Sequence, residues 1–382
     1  MDTRTIIANI LESGVQNGVA AGFSAAVTTR DGTVVTATAG QLSQQDARPV
    51  QSDTVFWIAS LTKAITTATA LSLVEEGVIS LHDPVAALLP ELASPRCLTG
   101  FDADGKAILV PATGAITLHH LLTHTSGLAY EFCSANLARY REGQAPYGPA
   151  EAPDYPLVFQ PGEGWMYGIG LDWAGKLMER ATGKAFADLV AERVTTPLGM
   201  SQTSFFPSEE TRASMAGVHQ RLPDGSLMPI PFGMSPEPHF MMGGGGLHST
   251  APDYLTFLRA ILGGGQLNGV RILEPQSVAL MSNSQTGDLE VGVMTSAQPH
   301  LTGDFDFFPG QPKGWGYGFL LNQEPGPKGR GAGSLAWAGL ANCYYWADPT
   351  TGISAVMLAQ VLPFADPRVL DVFGQVETAL YS

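Results

Sequence analysis

Two polar residues three apart, Ser60 and Lys63, stand near the head of an otherwise apolar stretch, FWIASLTKAITTATALSLVEEG. On a helix, positions i and i+3 share a face, so the Ser60 hydroxyl falls within reach of the Lys63 ammonium. A serine hydroxyl becomes a useful nucleophile only when a neighbour takes its proton. A lysine held away from water loses part of its preference for the charged form, because desolvation penalises charge. It can then serve as that base, or as the cation beside another group that does. The start of a helix adds partial positive charge and N–H groups where an acyl oxygen turns negative. With six lysines in the chain, S-x-x-K still arises by chance about 0.4 times. The competing reading is a helix cap at Ser60 and a solvated Lys63. Context opposes it: VFWIA precedes the serine, and no charge follows Lys63 until Glu75. Lys63 is therefore expected to be buried or in a cleft.

The chain that must position this pair has 382 residues, room for two compact domains or one with an insertion. Its hydrophobic share of 45% supports a large core, and 44 Gly and 27 Pro imply many turns. A net charge of −15 excludes nucleic acid as a partner, since phosphates are repelled by such a surface. Cys97, Cys133 and Cys343 are too few and too dispersed for a disulfide framework or a zinc site, and free thiols fit a reducing compartment. The first residues lack the unbroken apolar core of a signal peptide; they read as an amphipathic helix with Ile6, Ile7, Ile10 and Leu11 on one side. No apolar run reaches the length of a membrane span. The expectation is a cytoplasmic protein with no membrane partner, its oligomeric state left open.

Hairpin signals mark both ends. AGFSAAVTTR and TVVTATAG flank Asp31-Gly32, and SLAWAGLANCYYWAD and ISAVMLAQV flank a turn at Asp348, Pro349 and Gly352. A helix is expected after Pro367, with Val369, Leu370, Phe373 and Val376 at helical spacing. Between about 81 and 220 the strong signals are helical: ITLHHLLTHTSG ending at Gly127, GLDWAGKLMERATG stopping at Gly183, and FADLVAERV before Pro197. The organisation expected is a sheet domain whose N-terminal part spans 1–80, an inserted helical domain over 81–220, and the rest of the sheet domain over 221–382. MPIPFGMSPEP (228–238) reads as a loop. The tetraglycine at 243–246 leads to Thr250, an N-cap with Asp253 three residues on.

Taken together, SLTK, HLLTHTSGL, WMYG, PLGM, GGGGLHSTAPDYLTFLRAIL and WAG resemble the serine β-lactamase-like hydrolases. Within them the chain is similar to the family VIII carboxylesterases, relatives of class C β-lactamases, from about residue 20 to 375. The resemblance implies a mixed α and β fold, an antiparallel sheet flanked by helices with an inserted helical domain. It also implies a catalytic tyrosine at Tyr167 in PGEGWMYGIG, able to take the serine proton beside a lysine cation. The asparagine of the lactamase motif is replaced by Ile169. Trp337, Ala338 and Gly339 stand where lactamases carry Lys-Thr-Gly and the esterases Trp-x-Gly, on an expected edge-strand hairpin. By the same resemblance they bind substrate, with Gly339 letting it approach the backbone, and the amides of Ser60 and Leu340 form the oxyanion hole. Trp337 in place of a lysine removes a fixed cation and points to neutral substrates.

The expected activity is that of a serine carboxylesterase acting on small neutral, short-acyl esters through an acyl-enzyme, with no metal or organic cofactor. Three alternatives stay open: a β-lactamase or peptidase cutting amides, an acyltransferase in which an alcohol replaces water, and a silent binding module. Whether Lys63 or Tyr167 is the formal base is also open, because the two would titrate as a pair. Among rival constellations, His119, His120 and His124 sit on one expected helix, with His120 and His124 at i, i+4. They lack the glutamate and third ligand of a metal site, and a structural role is expected. No G-x-S-x-G elbow is present. FDFFPG (305–310) and GWGYGF (314–319) are candidate pocket walls, or packed lids.

Overall fold

A computed structural model describes residues 2–144, 155–231 and 241–382. Both chain ends contribute to one eight-stranded antiparallel sheet, as expected. Helix α1 (Thr3–Gln16) leads into β1 (Gly22–Thr28), β2 (Val34–Ser43) and β3 (Asp46–Pro49). The other five strands come from the last quarter of the chain: β4 (Lys313–Trp315), β5 (Leu320–Asn322), β6 (Leu335–Gly339), β7 (Cys343–Ala347) and β8 (Ser354–Leu358). Their order is β4-β5-β6-β7-β8-β1-β2-β3. The two halves join where β1 pairs with β8, Ser24 opposite Leu358 and Thr28 opposite Ser354.

Two details depart from expectation. SLAWAGLANCYYWAD is not one strand but two, β6 and β7, paired from Leu335–Ala347 to Gly339–Cys343. Asn342 makes the reversal in a left-handed conformation (φ 60°), which asparagine tolerates, and its side chain donates to Val361 O and Pro363 O. The strand that carries Trp337-Ala338-Gly339 is not the last in the sheet, because β4 and β5 follow it, but β5 pairs only with Leu335 and Ala336 and stops short of these three residues. Those strands are three residues each and rich in neither alternation nor length, so the sequence hides them.

The sheet is covered on both faces, and the all-apolar run CYYWA of β7 shows why. Tyr344 and Trp346 meet Phe373 of α6 (Pro367–Tyr381), while Tyr345, pointing the other way, meets Tyr254 of α5 (Ala251–Leu262). Thr250 caps α5, accepting from Asp253 N–H, as its sequence proposes.

Helix α2 (Thr62–Glu75) is buried on every side from Thr62 to Leu73. Three of its threonines fit this setting because their hydroxyls bond to carbonyls: Thr69 to Ile65, Thr62 to Ala59 and Thr66 to Gly243. Helix α3 (Leu118–Thr123) and helix α4 (Gly170–Thr182), the latter closed by left-handed Gly183, complete the frame around the site. Among the described residues no helix is long and apolar enough to cross a membrane, and all three cysteines are free and buried. Most of the proline-rich stretch 228–238 lies outside the described residues.

Candidate active site

The chain reaches Ser60 through a two-residue strand, Phe56–Trp57, paired with His248–Ser249. Ala59 then adopts a left-handed backbone (φ 45°), a strained position for a residue with a Cβ, and Ser60 follows in a 3-10 turn that runs into α2. Lys63 is fully buried. Its Nζ donates to Ser60 Oγ (3.1 Å), to the Tyr130 hydroxyl (3.1 Å) and to Gly244 O (2.6 Å). Burial drives its proton affinity well below the ordinary lysine value, with Asp172 and Cys133 pulling the other way.

Tyr167 reaches the same point. Its ring centre lies 4.6 Å from Lys63 Nζ, its hydroxyl contacts that of Ser60, and it accepts the indole N–H of Trp337 at 3.1 Å. Burial pushes the phenol well up, only partly offset by the Ser60 and Trp337 hydrogen bonds. The same desolvation thus separates the two candidate bases: it disfavours a tyrosinate and favours a neutral amine.

The cavity in front of Ser60 has a volume of about 260 Å³. Ser60, Tyr130, Tyr167, Trp337, Ala338 and Leu340 line it, together with Trp57, Phe132, Met242, Met294 and Phe364. Gly339 has a packing role that the sequence does not reveal. A Cβ there would fall 2.4 Å from Ile58 O, so the missing side chain lets β6 lie against the turn that carries Ser60. That contact is what brings Leu340 and Ser60 to one cavity.

Three participants escaped the sequence reading. Tyr130, three residues past Gly127, stacks on Phe132 and holds Lys63. Asp172 is a fully buried carboxylate on α4. Gly244 supplies the carbonyl that Lys63 grips. Asp172 carried a signal of the same kind as Lys63, one charge among Gly170, Leu171, Trp173 and Ala174, all buried.

His119 and His120 pack together with ring centres 5.5 Å apart, and His82 lies 5.4 Å from His119, but His124 has surroundings of its own. Helix α3 ends at Thr123 and His124 caps it in a left-handed conformation, so His120 and His124 do not share a helix face. His119 hydrogen-bonds Tyr317, whereas His124 packs between Trp165, Tyr167 and Trp315. Burial pushes His124 well down, and His248 down to about 4. Between pH 6.5 and about 4 the unfolded chain binds protons there that the folded chain refuses, so stability falls on acidification. Asp172, pushed up by burial, opposes with one proton. With His119, His120 and His219 also held down by burial, the urea midpoint is expected to be lower at pH 5 than at pH 7; an unchanged midpoint would contradict the assignment.

FDFFPG and GWGYGF stand behind the pocket. Phe305 backs Phe364, Phe307 lies near Trp337, and Trp315 packs edge-on against Trp337 while donating to Leu122 O.

Comparison with known proteins agrees with this architecture. The Beta-lactamase family matches residues 7–379. A lovastatin esterase from Penicillium rubens is 34% identical over 343 residues, 86% of this chain and 85% of its own. A monacolin J acid methylbutanoyltransferase from Aspergillus terreus is 33% identical, over 87% of this chain and 83% of its own. Unliganded simvastatin synthase (LovD) from Aspergillus terreus superposes with a TM-score of 0.85 at 30% identity, covering 100% of this chain and 98% of that one. A hydrolase with promiscuous acyltransferase activity shares the fold at a TM-score of 0.75 and 21% identity. With a match that runs nearly from end to end and relatives a third identical over most of both chains, the protein belongs to the beta-lactamase family, alongside esterases and acyltransferases.

Proposed function

We propose that the protein is a serine esterase that cleaves neutral, apolar, short-acyl esters through an acyl-Ser60 intermediate. The observation that carries this reading is the direct Lys63 Nζ–Ser60 Oγ hydrogen bond at a buried lysine beside an apolar cavity. In this reading residues 81–220, short helices together with one hairpin of Arg96–Phe101 and Ala107–Pro111, form the unit that delivers Tyr130 and Tyr167. Neutral Lys63 takes the Ser60 proton as Oγ attacks the ester carbonyl carbon. The resulting oxyanion is held by the amides of Ser60 and Leu340. As the intermediate collapses, the proton passes from Lys63, by way of Tyr167, to the departing alkoxide. Water then attacks the acyl-enzyme, giving its proton to Lys63, and the acid leaves as Ser60 is reprotonated.

Trp337 donates to Tyr167, steadying the phenol oxygen through which the proton moves. Apart from Lys63 no charged side chain lines the site as described, so a carboxylate-bearing substrate finds no partner, and Ile169 offers no amide to a lactam. Nitrophenyl acetate and butyrate should be hydrolysed at least ~100-fold faster than nitrophenyl hemisuccinate, the cost of burying an unpaired charge. Nitrocefin turnover above ester turnover would overturn the assignment in favour of a lactamase.

A second reading has support of its own in the acyltransferase relatives: an apolar cavity that keeps water scarce lets an alcohol compete for the acyl group. Adding a secondary alcohol to the nitrophenyl butyrate assay should then yield the new ester. If nitrophenol release rises without that product, the protein is a hydrolase only.

A further inference from the structure

We propose that Asp172 is a positioning residue for Lys63: its buried carboxylate pins the glycine segment that Lys63 grips and supplies the counter-charge that sets where the amine gives up its proton. The inference rests on the reading of Lys63 as the base. The geometry is a relay through backbone. Asp172 Oδ1 accepts the Gly244 N–H at 2.7 Å, and Thr66 Oγ1 donates to Gly243 O at 2.6 Å, so this peptide is fixed at both ends. The next carbonyl, Gly244 O, accepts Lys63 Nζ at 2.6 Å. A Cβ on Gly244 would lie 2.8 Å from the Tyr130 hydroxyl, 3.0 Å from Asp172 Oδ1 and 3.1 Å from Lys63 Nζ. The three groups therefore converge on a space that even a methyl group overfills.

Asp172 is completely buried, and among the described residues its Oδ2 has no hydrogen-bond partner. A carboxylate so placed is costly unless a cation compensates it, and the cation acting on it is Lys63. The other titratable groups facing the pair are Tyr130 and Cys133 from the segment after α3, Tyr155, Tyr167, and His124 at the end of α3. Burial pushes Cys133 up to about 12, holds Tyr155 and Tyr167 up, and holds His124 down, so these four stay neutral near pH 7. The charge that can balance Lys63 is that of Asp172. Its removal lowers the proton affinity of Lys63 further and makes it a weaker base, active from a lower pH.

The test is a pH profile of kcat/KM for nitrophenyl butyrate with Asp172→Asn and Asp172→Ala. Asparagine keeps an acceptor for Gly244 N–H and removes only the charge. Its acid limb should move down by about one pH unit, with a plateau about tenfold lower. Alanine also orphans the Gly244 N–H and should lose about 100-fold. An asparagine variant with the wild-type acid limb overturns the proposal, whatever its melting temperature. A second readout needs no turnover: [ε-13C]lysine labelling gives six signals, one for each lysine in the chain. In the wild type, the Lys63 signal should move in two steps, its own and a smaller one as Asp172 titrates; a single step overturns the proposal even if neither variant folds. Absence of ester turnover in the wild type would sink the esterase reading and leave this titration to decide the coupling.

Discussion

Ser60→Ala is expected to lower kcat/KM for nitrophenyl butyrate by about 10⁴–10⁶-fold while leaving the fold intact. The side chain is partly exposed at the head of α2, and the change deletes one hydroxyl without opening a core cavity. What it does remove is the atom that forms the covalent bond, together with the acceptor of one Lys63 hydrogen bond. Lys63 keeps Tyr130 and Gly244 O, so the lysine itself should stay in place. A fluorophosphonate probe should label the wild type at Ser60 and fail on the variant. Retention of more than a tenth of the activity would show that another nucleophile operates, and the acyl-enzyme scheme would fall.

Lys63→Met and Lys63→Arg are together expected to separate a base from a mere cation. Methionine matches lysine in length and flexibility and suits a buried site, so the helix should persist. Asp172, deprived of its cation, will keep its proton to a higher pH than in the wild type. Activity should drop by about 10³–10⁵-fold, because the neutral amine that takes the Ser60 proton in this reading is gone. Arginine is the sharper variant. It retains positive charge and donors but does not deprotonate in a protein. If Lys63 only supplied a cation for a Tyr167 base, arginine would preserve much of the rate. The opposite shifts of Lys63 and Tyr167 predict that it will not. An arginine variant within tenfold of wild type would transfer the base role to Tyr167.

The sequence by itself determined what short-range patterns encode. Serine and lysine one turn apart in an uncharged run meant a buried amine beside a hydroxyl, and Lys63 is buried against Ser60. The Asp31-Gly32 hairpin, the Thr250 cap and the Gly183 stop were equally local, since each depends on the conformational preference of a few adjacent residues. Tyr167 and Trp337 came from the order of motifs, and the fold brings their side chains together across 170 residues of chain.

Only the tertiary structure decided the partners of Lys63. Tyr130 is 67 residues away from it and the Gly244 carbonyl 181, and no periodicity links positions so distant. Packing alone also decided that His124 leaves the helix of His120, that β6 turns back at Asn342, and that Gly339 lies against the turn carrying Ser60. The physical reason is common to all of these. Turn and helix signals act over a few residues, whereas the state of a buried charge depends on which distant groups the folded chain sets around it once water has been removed.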